Sequence, residues 1–336
     1  MSGRPLGVLV AGFDGLGTQD HQRAMYLPAF ADHPDFTLVA AVDLGGRAGA
    51  AALAREHGID HPAGLAEALG DSRVDVVSIA APPPRRAECV AAALRAGKHV
   101  MADKPLAATA AEARDLAELA ETRHRVLVPA HHQRLHASIR SAAAAVRAGR
   151  VGLPWNLQAD FLIAGGEPAP GGELENFALY PVDVVGSILG LEVRRVHAIT
   201  RRYWHQDADD FAVLLLDHDH GVTSTITCGR AGPLADVRPA ALALHRYRIS
   251  GSHGVLLVDA RKPAVTVRTA SGTSARWTGP DTIHRLLDVL RDGIRTGRPA
   301  ITAWDAVDAL HVVEAAARSA ALGRPVELQA LRGGTS

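Results

Sequence analysis

The chain has 336 residues, 47% of them hydrophobic and 21% charged, which is enough to bury two cores and too apolar for a disordered chain. Lys plus Arg and Asp plus Glu both number 36, so no basic excess is available to draw in a phosphodiester backbone, and no nucleic-acid partner is expected. The two cysteines, Cys89 and Cys228, exclude a disulfide framework and suit a reducing, cytoplasmic compartment, and with no window near the ~20 apolar residues of a spanning helix, no membrane partner is expected.

Leu6–Ala11 is the first apolar run, too brief for a signal segment and better read as a buried strand. A glycine-bearing loop follows it. Thr37–Val42 is the next run, ending in Asp43; Val74–Ala80 ends in the stop Pro82-Pro83-Pro84. His99–Met101 and Val126–Val128 complete five strands. Between them, Ala48–His57, Ala87–Ala96 and Ala110–Glu121 have helical composition and period. Strands apolar on both faces, alternating with helices, belong to a parallel sheet covered on both sides.

From about Val151 the pattern changes. Asn156–Ile163, Arg194–Thr200, Phe211–Leu216, Val222–Thr227, Tyr247–Ser250, Val255–Val258 and Ala264–Thr269 read as strands, several joined by hairpin-like turns such as Asp219-His220-Gly221 and Ser252-His253-Gly254. Helices are expected at Pro181–Leu189, Thr282–Thr296 and Trp304–Leu322. The expected class is therefore α/β: an N-terminal Rossmann, doubly wound parallel sheet over residues 1–128, then an α+β domain with a mostly antiparallel open sheet over 129–336. The linker is placed near Pro129–His136.

A dinucleotide site needs glycines after the first strand, so that backbone N–H groups and a helix N-terminus reach the pyrophosphate. Gly12, Gly15 and Gly17 stand there, although the run Gly12-Phe13-Asp14-Gly15-Leu16-Gly17 is not a clean G-x-G-x-x-G. Asp43, at the end of the second strand, is placed to hold the ribose hydroxyls of NAD, or else to cap the next helix. A carboxylate there disfavours a 2′-phosphate; Arg47, four residues on, softens that preference and keeps NADP open.

At Ala96-Gly97-Lys98-His99-Val100 and Asp103-Lys104-Pro105 the chain resembles the Gfo/Idh/MocA oxidoreductases, whose hallmark is Ala-Gly-Lys-x-Val followed by Glu-Lys-Pro. Val74–Ile79 with Ala81-Pro82, Gly149–Gly152, Gly171–Leu174, Glu314–Ser319 and Gly323–Val326 extend the likeness over nearly the whole length. The resemblance implies a nicotinamide cofactor contacted also by Ala81, Pro82, Asp103 and Lys104. It implies a sugar, polyol or nucleotide-sugar substrate, and a dimer or tetramer built through the C-terminal sheet. It departs from the family in Asp103 for Glu, in a longer glycine loop, and in the second-domain motif. Where that motif usually runs Asp-x-Gly-x-His, this chain has Asn176-Phe177-Ala178-Leu179-Tyr180, like the tyrosine-bearing branch of dihydrodiol dehydrogenases and sugar 3-ketoreductases.

The chemistry expected from these residues is hydride transfer coupled to proton transfer at the substrate oxygen. Tyr180 is the expected acid in reduction and base in oxidation, with Lys104 bonding the same oxygen. The plain alternatives are a core aromatic for Tyr180 and a surface ammonium for Lys104. His132, Arg134, Asn176 and Asp183 are expected to orient substrate, and Asn176 only by hydrogen bonds. His131, His132 and His136 are read as pocket-lining rather than metal-ligating. Asp217-His218-Asp219-His220 sits at a hairpin end, where alternate side chains diverge, so no metal is expected. Asp207-Ala208-Asp209-Asp210 reads as a solvated loop, and Arg85-Arg86 as either phosphate-facing or exposed at a helix start. Three other functions remain open: a glycoside-cleaving or eliminating enzyme with transient oxidation, an imine reductase, and a non-catalytic nucleotide-binding protein.

Overall fold

A computed structural model describes residues 4–14, 20–165, 168–204, 207–230, 242–261, 265–269, 272–276 and 281–329. Two compact units emerge: Met1–His132 with Thr282–Asp308, and Gln133–Asp281 with Ala309–Ser336.

The first unit alternates β1 (Leu6–Ala11), α1 (Leu27–Asp32), β2 (Phe36–Val42), α2 (Ala50–His57), α3 (Leu65–Gly70), β3 (Val76–Ile79), α4 (Pro83–Arg95), β4 (His99–Ala102), α5 (Ala110–Thr122) and β5 (Leu127–Pro129). The strands form one five-stranded sheet in the order β2-β1-β3-β4-β5, and every pairing is parallel. Strand order reverses between β1 and β3, which opens a crevice at the carboxyl ends of these two strands. Gly12, Asp14, Ala81 and Pro82 follow those ends directly. Against one flank pack Val10, Phe13, Leu27, Ala41, Ala50 and Leu53, all buried. Phe13 anchors the start of the glycine loop there, fully out of water.

The second unit holds α6 (Ala137–Arg147), β6 (Pro154–Ile163), α7 (Glu173–Phe177), α8 (Leu179–Leu189), β7 (Val193–Arg201), β8 (Phe211–His218), β9 (Thr223–Arg230), β10 (Leu242–Gly251), β11 (Gly254–Asp259) and the ribbon β12 (Val265–Thr269) with β13 (Gly272–Arg276). Then α9 (Thr282–Thr296) belongs to the first unit, α10 (Ala303–Leu322) runs from the first into the second, and β14 (Val326–Glu327) closes the chain. Its main sheet is seven-stranded, ordered β11-β10-β6-β9-β8-β7-β14. All pairs are antiparallel except β6 with β9.

Alternation along these strands sorts the two faces. One register row, Val258–Tyr247–Ala159–Ile226–Leu214–Ala198, is buried throughout. The neighbouring row, Leu257–Arg248–Gln158–Thr225–Leu215–His197, points the other way, with Leu257 76% and Leu215 48% exposed. Among the described residues no helix is long and apolar enough to cross a membrane.

Candidate active site

In the first unit the loop after β1 is stitched to both neighbouring strands. Gly12 N–H donates to Val42 (2.9 Å) and Asp14 N–H to Ala80 (3.2 Å). Gly12 has φ 77°, and a Cβ there would lie 2.3 Å from the Ala80 carbonyl oxygen, so only glycine fits this turn. Gly15 and Gly17 lie outside the described residues. At the end of β2, Asp43 Oδ1 accepts from Gly49 N–H (2.8 Å) and Ala50 N–H (3.0 Å). It thus caps α2, and among the described residues Oδ2 stays available. Arg47 is exposed and its backbone N–H donates to Asp14 Oδ2 (2.9 Å). Ala81 is buried, and Pro82 is the exposed N-cap residue just before α4.

Asp103 directly follows β4 and is 1% exposed. Its carboxylate is the hub of a buried polar cluster. It accepts from Tyr26 Oη (2.6 Å) and from Lys104 N–H (2.9 Å), and bonds His21 Nδ1 at 3.1 Å. Arg86 Nη2 lies 3.6 Å away. Burial alone raises this carboxyl's pKa, but His21, Arg86 and Tyr26 outweigh it and hold it below the usual carboxylate range. Arg86 is not exposed at its helix start, as the sequence allowed, nor turned toward a phosphate. It is wholly buried, and Nη1 donates to the Pro105 carbonyl. Its neighbour Arg85 is exposed and pairs with Glu88 (2.7 Å).

Lys104 leaves this hub into a cis Lys104-Pro105 peptide, and its side chain is 2% exposed rather than a solvated surface ammonium. His21 precedes and Tyr26 ends a π-helical turn, Gln22–Tyr26, at the exit of the glycine loop, where π geometry often marks function. Gln22 is tied to Ser78 of β3 (3.0 Å). Sequence reasoning passed over His21, Gln22, Tyr26 and the interior role of Arg86. The only advance signal was a polar stretch interrupting an apolar domain. His132 is buried, with Nδ1 2.8 Å from Thr282 Oγ1.

In the second unit, Asn176 lies in α7, while Tyr180 and Asp183 stand three residues apart on one face of α8. Tyr180 is partly exposed, its ring tilted 31° against Phe161 at 5.2 Å. Asn176 donates from Nδ2 to Glu173 Oε2 (3.1 Å). Glu173, fully buried, also pairs with Arg230 (2.9 Å). Burial pushes the Glu173 carboxyl up, against the pull of Arg230. Asp183 and Arg134 form a two-pronged ion pair, with Nε to Oδ2 at 2.8 Å and a second contact from Nη2 to Oδ1. Tyr247 is sealed beneath, 2% exposed, and shares a bond with His245 Nε2 (3.0 Å). Burial first, then Asp183, drives its phenol well above the ordinary value, which makes it a poor acid. Of these two phenols, Tyr180 is the one partly exposed.

One other reading changes. Asp209 and Asp210 do not form a solvated loop. Asp209 Oδ2 accepts from Leu174 N–H (2.9 Å), and fully buried Asp210 accepts from Tyr203 (3.0 Å) and Trp204 (2.6 Å) N–H groups. Asp209 thus fastens the turn that starts α7, and Asp210 the turn at Tyr203 and Trp204. At the β8 end, His218 points inward to Ser224 (2.7 Å), whereas Asp217 and Asp219 point outward to Arg195 and Arg194, the divergence that strand alternation requires.

A family model described as an oxidoreductase family with an NAD-binding Rossmann fold matches residues 6–131, and the GFO/IDH/MocA C-terminal domain matches residues 139–257. The chain belongs to the Gfo/Idh/MocA oxidoreductase family. As such it is a nicotinamide-dependent oxidoreductase with an NAD-binding Rossmann domain. It is similar to 1,5-anhydro-D-fructose reductase from Ensifer adhaerens, 30% identical over 83% of this chain and 87% of that one. It is also similar to dTDP-3,4-didehydro-2,6-dideoxy-α-D-glucose 3-reductase from Streptomyces antibioticus, 30% identical over 65% of this chain and 68% of the other. Among solved structures, GenD2 from gentamicin A biosynthesis, in complex with NAD, superposes with TM-score 0.83 at 25% identity, covering 98% of both chains.

The Gfo/Idh/MocA residues present fit that cofactor. The Gly12 turn leaves no room for a Cβ, and the second oxygen of Asp43 suits a ribose hydroxyl.

Proposed function

We propose that the protein transfers a hydride between NAD and a carbonyl or secondary-alcohol carbon of a sugar, polyol or nucleotide-sugar-like substrate. In this reading Tyr180 donates the proton in reduction and accepts it in oxidation, while Lys104 bonds the same oxygen and stabilises its charge. The observation that carries it is the placement of Lys104. It follows the carboxyl end of a parallel strand, the end where such sheets take ligands, and its backbone is clamped by a buried carboxylate. Bound NAD supplies the hydride acceptor or donor. Gly12, Gly15, Gly17, Asp43, Arg47, Ala81, Pro82, Asp103 and Lys104 are proposed to hold it, Asp103 by positioning the Lys104 turn rather than by contact. His132, Asn176 and the Arg134–Asp183 pair are proposed to orient substrate hydroxyls. The cofactor role falls to residues 1–128, and substrate binding and assembly to 129–336. Cytoplasmic residence is supported by Cys89 and Cys228, both buried free thiols.

Both curated relatives carry names of enzymes that reduce sugars or sugar nucleotides, which supports the substrate class. The test is a panel of sugars, polyols and nucleotide sugars with NAD or NADH, read at the nicotinamide absorbance. Net change with at least one member is expected. Substrate cleavage without net absorbance change points instead to transient oxidation, and binding without any turnover to a retired enzyme.

The outward sheet row bearing Leu257 and Leu215 is proposed to pair with a second copy, giving a dimer or tetramer. Exposed leucines in a contiguous sheet face cost solvation until covered. Leu257→Glu with Leu215→Glu is expected to yield a monomer by sedimentation velocity; a monomeric parent or an unchanged assembly refutes the interface.

A further inference from the structure

Three backbone N–H groups of the turn after β2 are already taken by carboxylates. Asp43 Oδ1 holds those of Gly49 and Ala50, at 2.8 and 3.0 Å. Asp14 reaches across from the loop after β1 and holds that of Arg47 at 2.9 Å. The Asp14 carboxylate lies directly on the turn: a Cβ built on Gly46 would sit 2.0 Å from its Oδ2 and 2.8 Å from its Cγ. Glycine at position 46 therefore makes room for Asp14 and not merely for a bend.

In a doubly wound sheet the adenosine ribose lies between the loop after β1 and the acidic end of β2. NAD and NADP differ only at the 2′ position of that ribose. A 2′-phosphate carries roughly two negative charges and needs free N–H donors or cationic side chains. Asp43 alone would leave the Arg47 N–H open to such an anion. Asp14 fills it with an internal anion, on the same turn whose other two N–H groups Asp43 holds. A 2′-hydroxyl, by contrast, brings a donor to a site rich in acceptors.

We infer that Asp14 is a cofactor-specificity residue, supplying at this turn the anion that the phosphate of NADP would otherwise supply and so selecting NAD. The inference rests on the NAD-binding reading of the first unit and adds to it the choice between the two dinucleotides.

Equilibrium titration by reduced-nicotinamide fluorescence tests this without turnover. Wild-type protein is expected to bind NADH far more tightly than NADPH, since like-charge juxtaposition is strongly disfavoured. Asp14→Asn removes the charge yet keeps an acceptor for Arg47, and should narrow the NADPH/NADH Kd ratio by about tenfold or more. Asp14→Gly also frees the N–H and should narrow it further. In both, the NADH Kd should stay within about threefold, and thermal unfolding without cofactor checks that each variant folds. Calorimetry with AMP against 2′,5′-ADP should give the same ordering from the adenosine end alone. An unchanged ratio overturns the inference, as does equal tightening of both cofactors, which would mean that Asp14 obstructs the whole crevice. If NADH binds and the ratio does not move, only this inference falls. If the wild type binds neither dinucleotide, the oxidoreductase reading falls with it.

Discussion

Tyr180→Phe is expected to lower kcat by about 10²–10⁴-fold while the Kd for NADH stays within about threefold. The substitution deletes one oxygen and keeps the ring, so the packing of residue 180 against Phe161 at 5.2 Å survives and the fold is not at issue. The magnitude separates three roles. A core aromatic would leave turnover unchanged. A simple hydrogen bond to substrate, net about 0.5–1.5 kcal/mol, would change rates about tenfold at most and largely through KM. Loss of the proton donor falls on kcat, because the bond matters most as the alkoxide develops. Tyr247 offers no substitute: it is 2% exposed and its phenol is held well above its ordinary pKa. Stopped-flow single turnovers with the best substrate of the panel give the chemical step directly. Wild-type turnover in the Tyr180→Phe enzyme would remove Tyr180 from the mechanism.

Where a segment's structure is set by its own residues, the sequence shows it. Leu6–Ala11 and Thr282–Thr296 have the expected bounds, the first as a continuous apolar run, the second as an amphipathic period. The change from a parallel to a mostly antiparallel sheet was equally legible, because strand spacing and turn residues are local. Three helices were not. α1 follows a π-helical turn whose polar residues break the apolar period. α3 is six residues long, too short for its period to register. α6 lies directly beyond the segment expected as linker, which drew that stretch into the boundary.

The site follows the same division. Lys104 and Tyr180 are proposed from motif and position, both of which are local to the sequence. Asp103 was visible only as a departure from Glu, since its partners His21 and Tyr26 lie 82 and 77 positions away. Arg86 was misread for the same reason: a buried guanidinium is tolerable only beside its counter-charge, and the carboxylate that provides it belongs to a different strand. Asp209 and Asp210 looked solvated because charge suggests exposure, whereas here each is consumed by backbone N–H groups that no composition reveals.

Asp103→Asn should destabilise the first unit by about 3–5 kcal/mol, the cost of removing one partner from a buried pair. The amide retains the shape, so the loss reports charge. Arg86 keeps its position inside the protein, and among the described residues its Nε and Nη2 make no hydrogen bond, leaving Asp103 as the near counter-charge. Asp103→Glu keeps the charge and adds one methylene, so its cost should be the smaller strain of overpacking, about 1–3 kcal/mol. The pH dependence has a definite sign. The folded-state pKa of Asp103 lies below its unfolded value of 3.8, so its contribution is fully present above that value and is lost as pH falls toward the folded pKa. The difference in urea midpoint between wild type and Asp103→Asn should therefore be largest near neutrality and shrink below about pH 4. A structural role without charge predicts a difference that does not vary with pH. A flat difference, or an Asn variant as stable as wild type at neutral pH, would show that the His21–Tyr26–Arg86 cluster does not depend on an ionised carboxylate.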